Sequence, residues 1–390
     1  MSRHRSSDLP LIVGILLIAF NLRPSLASLG PLIPDIIEDL GVSGTLMGLV
    51  STLPLPAFAV VSMFTPVFTK RYGFGKTLLG ALVLLTLGIV LRSLFGVAGL
   101  VSGTLMLGTA IAFGNVLVPA LTRQNFPRRA GLITALYSSV MGVGAALAAG
   151  VSVPLVASGW IGWRGSLGVW ALPAGLALAF WSTQYRSIRK SNPRRGFREA
   201  MAKLSGKRLV WTLALYLGLQ SFAFYVILAW LPAMLVTTDY DSVFAGWMLS
   251  LSQFTGILGT LVIPLWAGRR KDQRTVVTVL IAMELVGLVG LMFPQIGAPY
   301  LWISILGFAL GGTFALALLL IVVRSDDAET AAELSAIVQS IGYLVAAPGP
   351  ILAGWIFDRT NAWGVVLAIL ALLTLTKWAM GLHAGRNRRA

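Results

Sequence analysis

The chain has 390 residues, 57% hydrophobic and only 11% charged, with a mean hydropathy of +0.84. A soluble domain carries about 25% charged residues, so this composition excludes a soluble fold and predicts an all-α membrane protein, because a helix satisfies its own backbone groups in lipid. The lack of cysteine excludes disulfides and thiolate metal sites, and the net charge of +16 suggests nucleic acid only until its distribution is read.

Crossing a bilayer takes about 20 apolar residues, and the sequence predicts twelve transmembrane helices. In chain order the runs cover 9–34, 44–69, 76–96, 99–122, 130–157 and 163–185, then 209–236, 243–268, 275–294, 298–323, 331–357 and 361–383. The first run lacks a small-residue cleavage site and reads as an anchor rather than a cleaved leader. The expected organisation is an N-terminal six-helix bundle at 1–185, a cytoplasmic basic linker at 186–208 and a C-terminal six-helix bundle at 209–390.

An even number of crossings puts both termini on one side. Twenty-five of the 30 Lys and Arg residues fall in alternate loops, the central linker and the two tails, among them Lys70, Arg71, Arg123, Arg128, Arg269, Arg270 and Arg324. The opposite loops hold Asp35, Glu38, Asp39, Asp239, Asp241 and Asp358. This is the positive-inside pattern. It predicts a multi-pass protein of the cell inner membrane with both termini cytoplasmic. The basic surplus then meets anionic lipid, and nucleic acid is not a partner.

A faint internal repeat supports the count. Displaced by 198, Ile33-Pro34 falls on Leu231-Pro232 and Gly48 on Gly246; displaced by 200, Gly142 falls on Gly342 and Ala146 on Ala346; Arg123 and Arg324 match at 201. Two six-helix repeats with a ligand site between them, near the midplane, are transporter architecture.

Polar residues inside spans are expensive and therefore informative. Arg23 lies near the middle of the first span, too deep to reach either surface easily, and Pro24 beside it predicts a kink that frees backbone carbonyls. It is either a substrate-binding cation in a cavity or a structural tie to a neighbouring helix; its repeat mate is Ser221. Further candidate cavity groups are Asn21, Asn115, Gln220, Tyr225, Trp230, Gln339 and Tyr343, each of which could equally make an interhelical hydrogen bond. Glu284 is the one carboxylate near the middle of a span. It reads either as a coupling residue or as the structural partner of Lys377, which lies at similar depth. Gly142, Ala146 and Gly150 share one helix face, as do Gly342, Ala346, Pro350 and Gly354, and such faces let helices approach closely. Arg92 and Arg164 read as cations snorkelling to the surface.

Nothing in the chain points to catalysis. The histidines, His4 and His383, are near the termini, and neither a Walker loop nor an HExxH motif is present. No cofactor or metal is expected.

Asn21-Leu22-Arg23-Pro24 followed by Gly30-Pro31-Leu32-Ile33-Pro34 resembles the first helix of the cyanate/nitroimidazole transporter family of the major facilitator superfamily. Ser51-Thr52-Leu53-Pro54, Gly114-Asn115-Val116-Leu117-Val118-Pro119, Ala229-Trp230-Leu231-Pro232-Ala233 and Gln339-Ser340-Ile341-Gly342-Tyr343-Leu344 carry the same likeness, which runs from about 10 to 380. Gly114 to Pro119 and Asn125-Phe126-Pro127 bring it nearer the nitroimidazole branch. The resemblance implies alternating access between two halves and a site built mainly from helices one, four, seven and ten. It implies a small nitrogen-containing substrate such as cyanate or a nitroimidazole. One departure stands out: where the superfamily's G-x-L-A-D-R-x-G-R loop carries an acidic residue, this chain has Lys70, so the charge contacts of that gate do not carry over. Asp272 is the nearest acidic candidate in the second half.

The reading is therefore a monomeric secondary transporter of a small anion or polar heterocycle, with Arg23 as its anchor. The alternatives are proton-coupled efflux of larger hydrophobic drugs, which calls for a cavity carboxylate, and a non-transporting membrane receptor.

Overall fold

The computed structural model describes residues 8–126, 129–188, 202, 204–293, 296–325 and 328–386. Most of the linker expected at 186–208 lies outside the described residues, as do His4, Arg128 and the side chain of Arg123. Among the described residues, twelve helical segments are long and apolar enough to cross a membrane. They are α1 (Leu9–Leu40), α2 (Gly44–Thr65), α3 (Val67–Leu94), α4 (Gly96–Thr122), α5 (Leu136–Ala157) and α6 (Trp163–Gln184) in the first half. The second half holds α7 (Arg208–Val236), α8 (Ser242–Gly268), α9 (Arg274–Met292), α10 (Pro299–Val323), α11 (Leu334–Thr360) and α12 (Trp363–Ala384). The two sets of six form the two bundles of the fold.

Local sequence explains where these helices bend. In α1 the regular helix ends at Asn21; Arg23 sits at φ −121°, ψ −35°, and helix resumes at Pro24. Proline lacks the amide that would bond the fourth carbonyl back, and its ring crowds that carbonyl. A 3₁₀ turn at Gly30–Leu32, around Pro31, breaks the helix again before Ile33–Leu40. The stretch Pro54–Leu94 is helical throughout except for a corner at Gly73, where φ is 79° and ψ 164°. Only glycine adopts that conformation without strain, so α2 geometrically continues to Tyr72. Lys70 and Arg71 are exposed beside this corner.

The repeat has a structural counterpart. Ser43 caps α2 by accepting from the Leu46 amide, and Asp241, 198 residues later, caps α8 by accepting from Val243 and Phe244. Gly48 of α2 packs against α11, where a Cβ would stand 2.5 Å from the Pro350 carbonyl oxygen; its mate Gly246 of α8 packs against the Ala149 carbonyl of α5. The Gly142, Ala146 and Gly150 face is this second seam. Gly142 meets Ile257, the Ala146 carbonyl accepts from Ser250 Oγ at 2.8 Å, and Gly150 meets Trp247.

Apart from the Gly142–Ile257 contact at mid-depth, these contacts lie toward the face opposite the termini, hereafter the far face. There Asp358 at the end of α11 also accepts from the Gly44 amide (3.2 Å), the Thr45 amide (2.7 Å) and Thr45 Oγ1 (2.6 Å). One hydrophobic core runs through the first bundle and crosses into the second on this side, whereas a separate core occupies the terminal-face part of the second bundle. The bundles are fused on the far face and parted on the terminal face.

Two cations, Arg92 and Arg324, stand elsewhere than the sequence suggested, and Arg164 stands where it was expected. Arg92 is fully buried rather than snorkelled, and its Nη1 donates to the Ser25 carbonyl at 2.6 Å. Arg164 stays at the surface, paired to Asp39 at 2.9 Å with Trp163 Nε1 donating to the same carboxylate. Arg324, expected as a loop charge, is buried and ties α10 to the Gln273 side chain and the Ala384 and Gly385 carbonyls.

Candidate substrate site

The break in α1 decides what lies at the centre of the molecule. Because Arg23 falls at the break, its side chain leaves the helix where α1 meets α5 and α7, and its guanidinium lines a central cavity of about 210 Å³. The cavity runs from Arg23, Gln220 and Tyr225 toward Thr260, Leu261 and Leu318, the ends of α8 and α10 nearest the termini. It therefore opens toward the terminal face, as the parted bundles there require.

Around Arg23 the walls are aromatic. Its guanidinium carbon sits 5.9 Å from the centroid of Phe224, within cation–π distance. The Tyr225 hydroxyl lies within hydrogen-bonding reach of it, and Tyr343 is close enough to feel its charge. Phe224 and Tyr225 meet edge to face at 5.2 Å, and Tyr343 meets Phe58 in the same way at 5.4 Å. None of the residues lining the cavity is acidic, and among the described residues Arg23 joins no ion pair. A half-buried guanidinium without a carboxylate, framed by aromatic faces, can accept a small anionic or strongly dipolar planar guest.

The residues singled out from sequence separate into two groups. Arg23, Gln220, Tyr225 and Tyr343 come together on the cavity wall. Gln220 is already engaged, its Nε2 donating to the Leu310 carbonyl at 3.0 Å and its Oε1 accepting from Ser221. Asn21 turns away and donates to the Leu17 and Pro173 carbonyls, tying α1 to α6. Trp230 donates to the Pro350 carbonyl at 2.9 Å and packs on Trp363, on the far side of the cavity wall. Gln339 donates to Ser335 within its own helix. Asn115 is half-buried on α4 and does not line the cavity.

The expected framework of helices one, four, seven and ten therefore changes. Nothing from α4 lines this cavity; α5 and α8 do, through Ser138, Ser139, Ser252, Gln253 and Thr260. These were missed although the same signal, polarity within a span, applies to Gln253. The small-residue face of α5 pointed to this seam without identifying the hydroxyls beside it.

Glu284 and Lys377 stand apart from the cavity, inside the second bundle. Both are fully buried, Lys377 Nζ lies 2.6 Å from Oε1, and Thr374 Oγ1 donates to the same oxygen at 2.9 Å. The two groups that the sequence placed at similar depth are thus in direct contact. Among the described residues no cluster of His, Asp and Glu could hold a metal.

The sequence matches the profile of the Major Facilitator Superfamily over residues 15–350. It is 39% identical over 382 residues to the uncharacterized transporter YycB of Bacillus subtilis (strain 168), covering 97% of this chain and 94% of that one. Over 378 residues it is 38% identical to the 2-nitroimidazole transporter of Escherichia coli (strain K12), covering 97% and 96%. Over 345 residues it is 28% identical to the cyanate transport protein CynX of the same organism, covering 88% and 89%. The solved D-xylose-proton symporter superposes with a TM-score of 0.74 at 14% identity, covering 99% of this chain and 100% of that one, a likeness of fold alone.

Proposed function

The chain belongs to the major facilitator superfamily, in its cyanate/nitroimidazole family and nearer the nitroimidazole branch, and from this premise we propose that it carries a small nitrogen-containing anion or polar heterocycle, with Arg23 as the anchor. It is a multi-pass membrane protein and a secondary transporter rather than an enzyme. The observation that carries the proposal is the Arg23 guanidinium, which joins no ion pair among the described residues, in a cavity that no acidic residue lines. Tyr225 and Tyr343 flank it and Phe224 offers a stacking face, so a nitro group or an anionic oxygen would take the guanidinium while a ring would lie against the aromatics.

Size favours this reading over efflux of larger drugs. An apolar cavity of about 150 Å³ accommodates benzene, whereas drug-sized ligands occupy pockets of about 300–1,000 Å³. At about 210 Å³ the site suits one substituted small ring or a few-atom anion. Proton-coupled drug efflux also calls for a cavity carboxylate, and Glu284 is committed to Lys377 outside it. Two relatives named for 2-nitroimidazole and cyanate support the same substrate class. With its charge bias, the chain would sit in the cell inner membrane with the termini cytoplasmic, placing the open cavity toward the cytoplasm. Residues 1–185 and 209–390 are proposed as the two moving bodies.

The test is thermal stabilisation of the purified protein by cyanate, nitrate, 2-nitroimidazole and a bulky cationic drug. A ligand that binds only the native state adds about 2.7 kcal/mol at one hundred times its Kd. The small anions or the nitroimidazole should raise the melting temperature and the drug should not. Stabilisation by the drug alone would overturn the proposal.

A further inference from the structure

We infer that Arg92 forms a second binding site, for a halide-sized monovalent anion, in a small cavity on the far-face seam behind the central site. This does not depend on which substrate the central cavity carries. Arg92 is 0% exposed, yet of its five N–H donors only Nη1 has a protein acceptor, the Ser25 carbonyl; Nε and Nη2 find none. The buried hydroxyls of Thr104 and Ser51 are likewise without a protein partner. All three side chains line one cavity of about 20 Å³, closed on its other side by Tyr225 and Leu228 of α7.

Charge decides the guest. A guanidinium is permanently protonated, and leaving it buried without a counter-charge costs several kcal/mol. No acidic residue lines the cavity, so the protein supplies no counterion there. A water molecule would satisfy hydrogen bonds but not the charge; an anion satisfies both, taking N–H groups from Arg92 and O–H groups from Thr104 and Ser51. Size then restricts the class. A cavity must offer about 10–15 Å³ to hold one water, so this one holds a single atom-sized guest and no ring. Its position adds a consequence. Tyr225 lines both cavities and α7 belongs to the opposite bundle, so the anion would sit on the seam that parts when the far face opens. It would neutralise Arg92 in the closed state and be released or exchanged on opening.

The experiment measures the melting temperature of the detergent-solubilised full chain in potassium chloride, bromide or gluconate at equal ionic strength. Chloride and bromide should stabilise saturably and gluconate, too large for the cavity, should not. In the double variant Thr104→Val with Ser51→Ala, chosen because neither change disturbs packing, the half-saturating chloride concentration should rise roughly tenfold or more, as for lost hydrogen bonds to a charged group. Arg92→Lys should weaken the effect too, and Arg23→Ala should leave it intact. Equal stabilisation by gluconate, an unchanged halide response in the double variant, or a response abolished by Arg23→Ala would each overturn the assignment, the last by placing the anion in the central cavity.

Discussion

Arg23 shows how a single costly residue can organise a site. A guanidinium at mid-span is tolerated because Pro24 breaks the helix beside it and the flanking aromatics accept its charge. If it anchors substrate, Arg23→Ala should weaken binding by about 1.5–3 kcal/mol, roughly ten- to a hundredfold, with folding intact. Arg23→Lys keeps the charge but loses the planar fork and should be impaired as well. Isothermal titration with the best stabilising ligand checks both; unchanged affinity in Arg23→Ala would move the anchor elsewhere. A second residue-scale expectation concerns Glu284 and Lys377. Replacing either alone strands a buried charge and should cost about 3–5 kcal/mol, whereas Glu284→Leu with Lys377→Met should recover much of the stability. Thermal unfolding of the three variants decides, and equal destabilisation in all three would contradict a purely structural pair. At this scale the sequence was only partly legible. In-span polarity exposed Arg23, Tyr225, Glu284 and Lys377, but it carries depth and not azimuth. Asn21 and Trp230 share the same polarity and spend it on the Pro173 and Pro350 carbonyls. Arg92 shows the converse error: a position four residues from the end of the expected span suggested a surface cation, whereas the α1 break offers it a carbonyl in the interior.

Among elements, the decisive contacts are those that hold the far face shut. The Asp358 carboxylate crosses the seam to the first amides of α2, where the helix dipole favours negative charge by about 0.3–1 kcal/mol at an exposed site. Gly48 permits the same two helices to touch. Asp358→Asn should therefore shift the population toward a far-open state by a factor of about two to five. Gly48→Leu should shift it further, because its side chain would meet the Pro350 backbone. The cysteine-free chain suits spin labels placed on Val42→Cys and Asn361→Cys, and electron–electron resonance should show the longer distance gaining weight in both variants. A distribution unchanged in both would mean the seam is held by other contacts. The helices themselves were readable from hydrophobic run length, with boundaries within a few residues for most. The repeat was readable too, because Gly48 and Gly246 occupy equivalent seams. The shift of the cavity wall from α4 to α5 and α8 was not, since it depends on how two bundles tilt together, and no single helix encodes that tilt.

For the whole molecule, the question is what drives transport. The central cavity lacks a carboxylate, and the one mid-span carboxylate, Glu284, is paired inside the second bundle. Protons would then not be carried by a dedicated cavity side chain. An anionic substrate would move with the membrane potential, or with a proton of its own. One charge moved across 100 mV is worth about 2.3 kcal/mol, roughly a fiftyfold gradient at equilibrium. A cell negative inside therefore assists export of an anion and opposes its uptake, so an importer would need a co-transported cation. Proteoliposomes with the potential and the pH gradient imposed separately distinguish these cases. Transport of a permanent anion should follow the potential and be indifferent to Glu284→Gln, provided that variant folds. If instead a neutral substrate is driven strongly by the pH gradient, and Glu284→Gln abolishes that drive, Glu284 carries the proton. Lys377 would then be the group that releases it as the bundle moves.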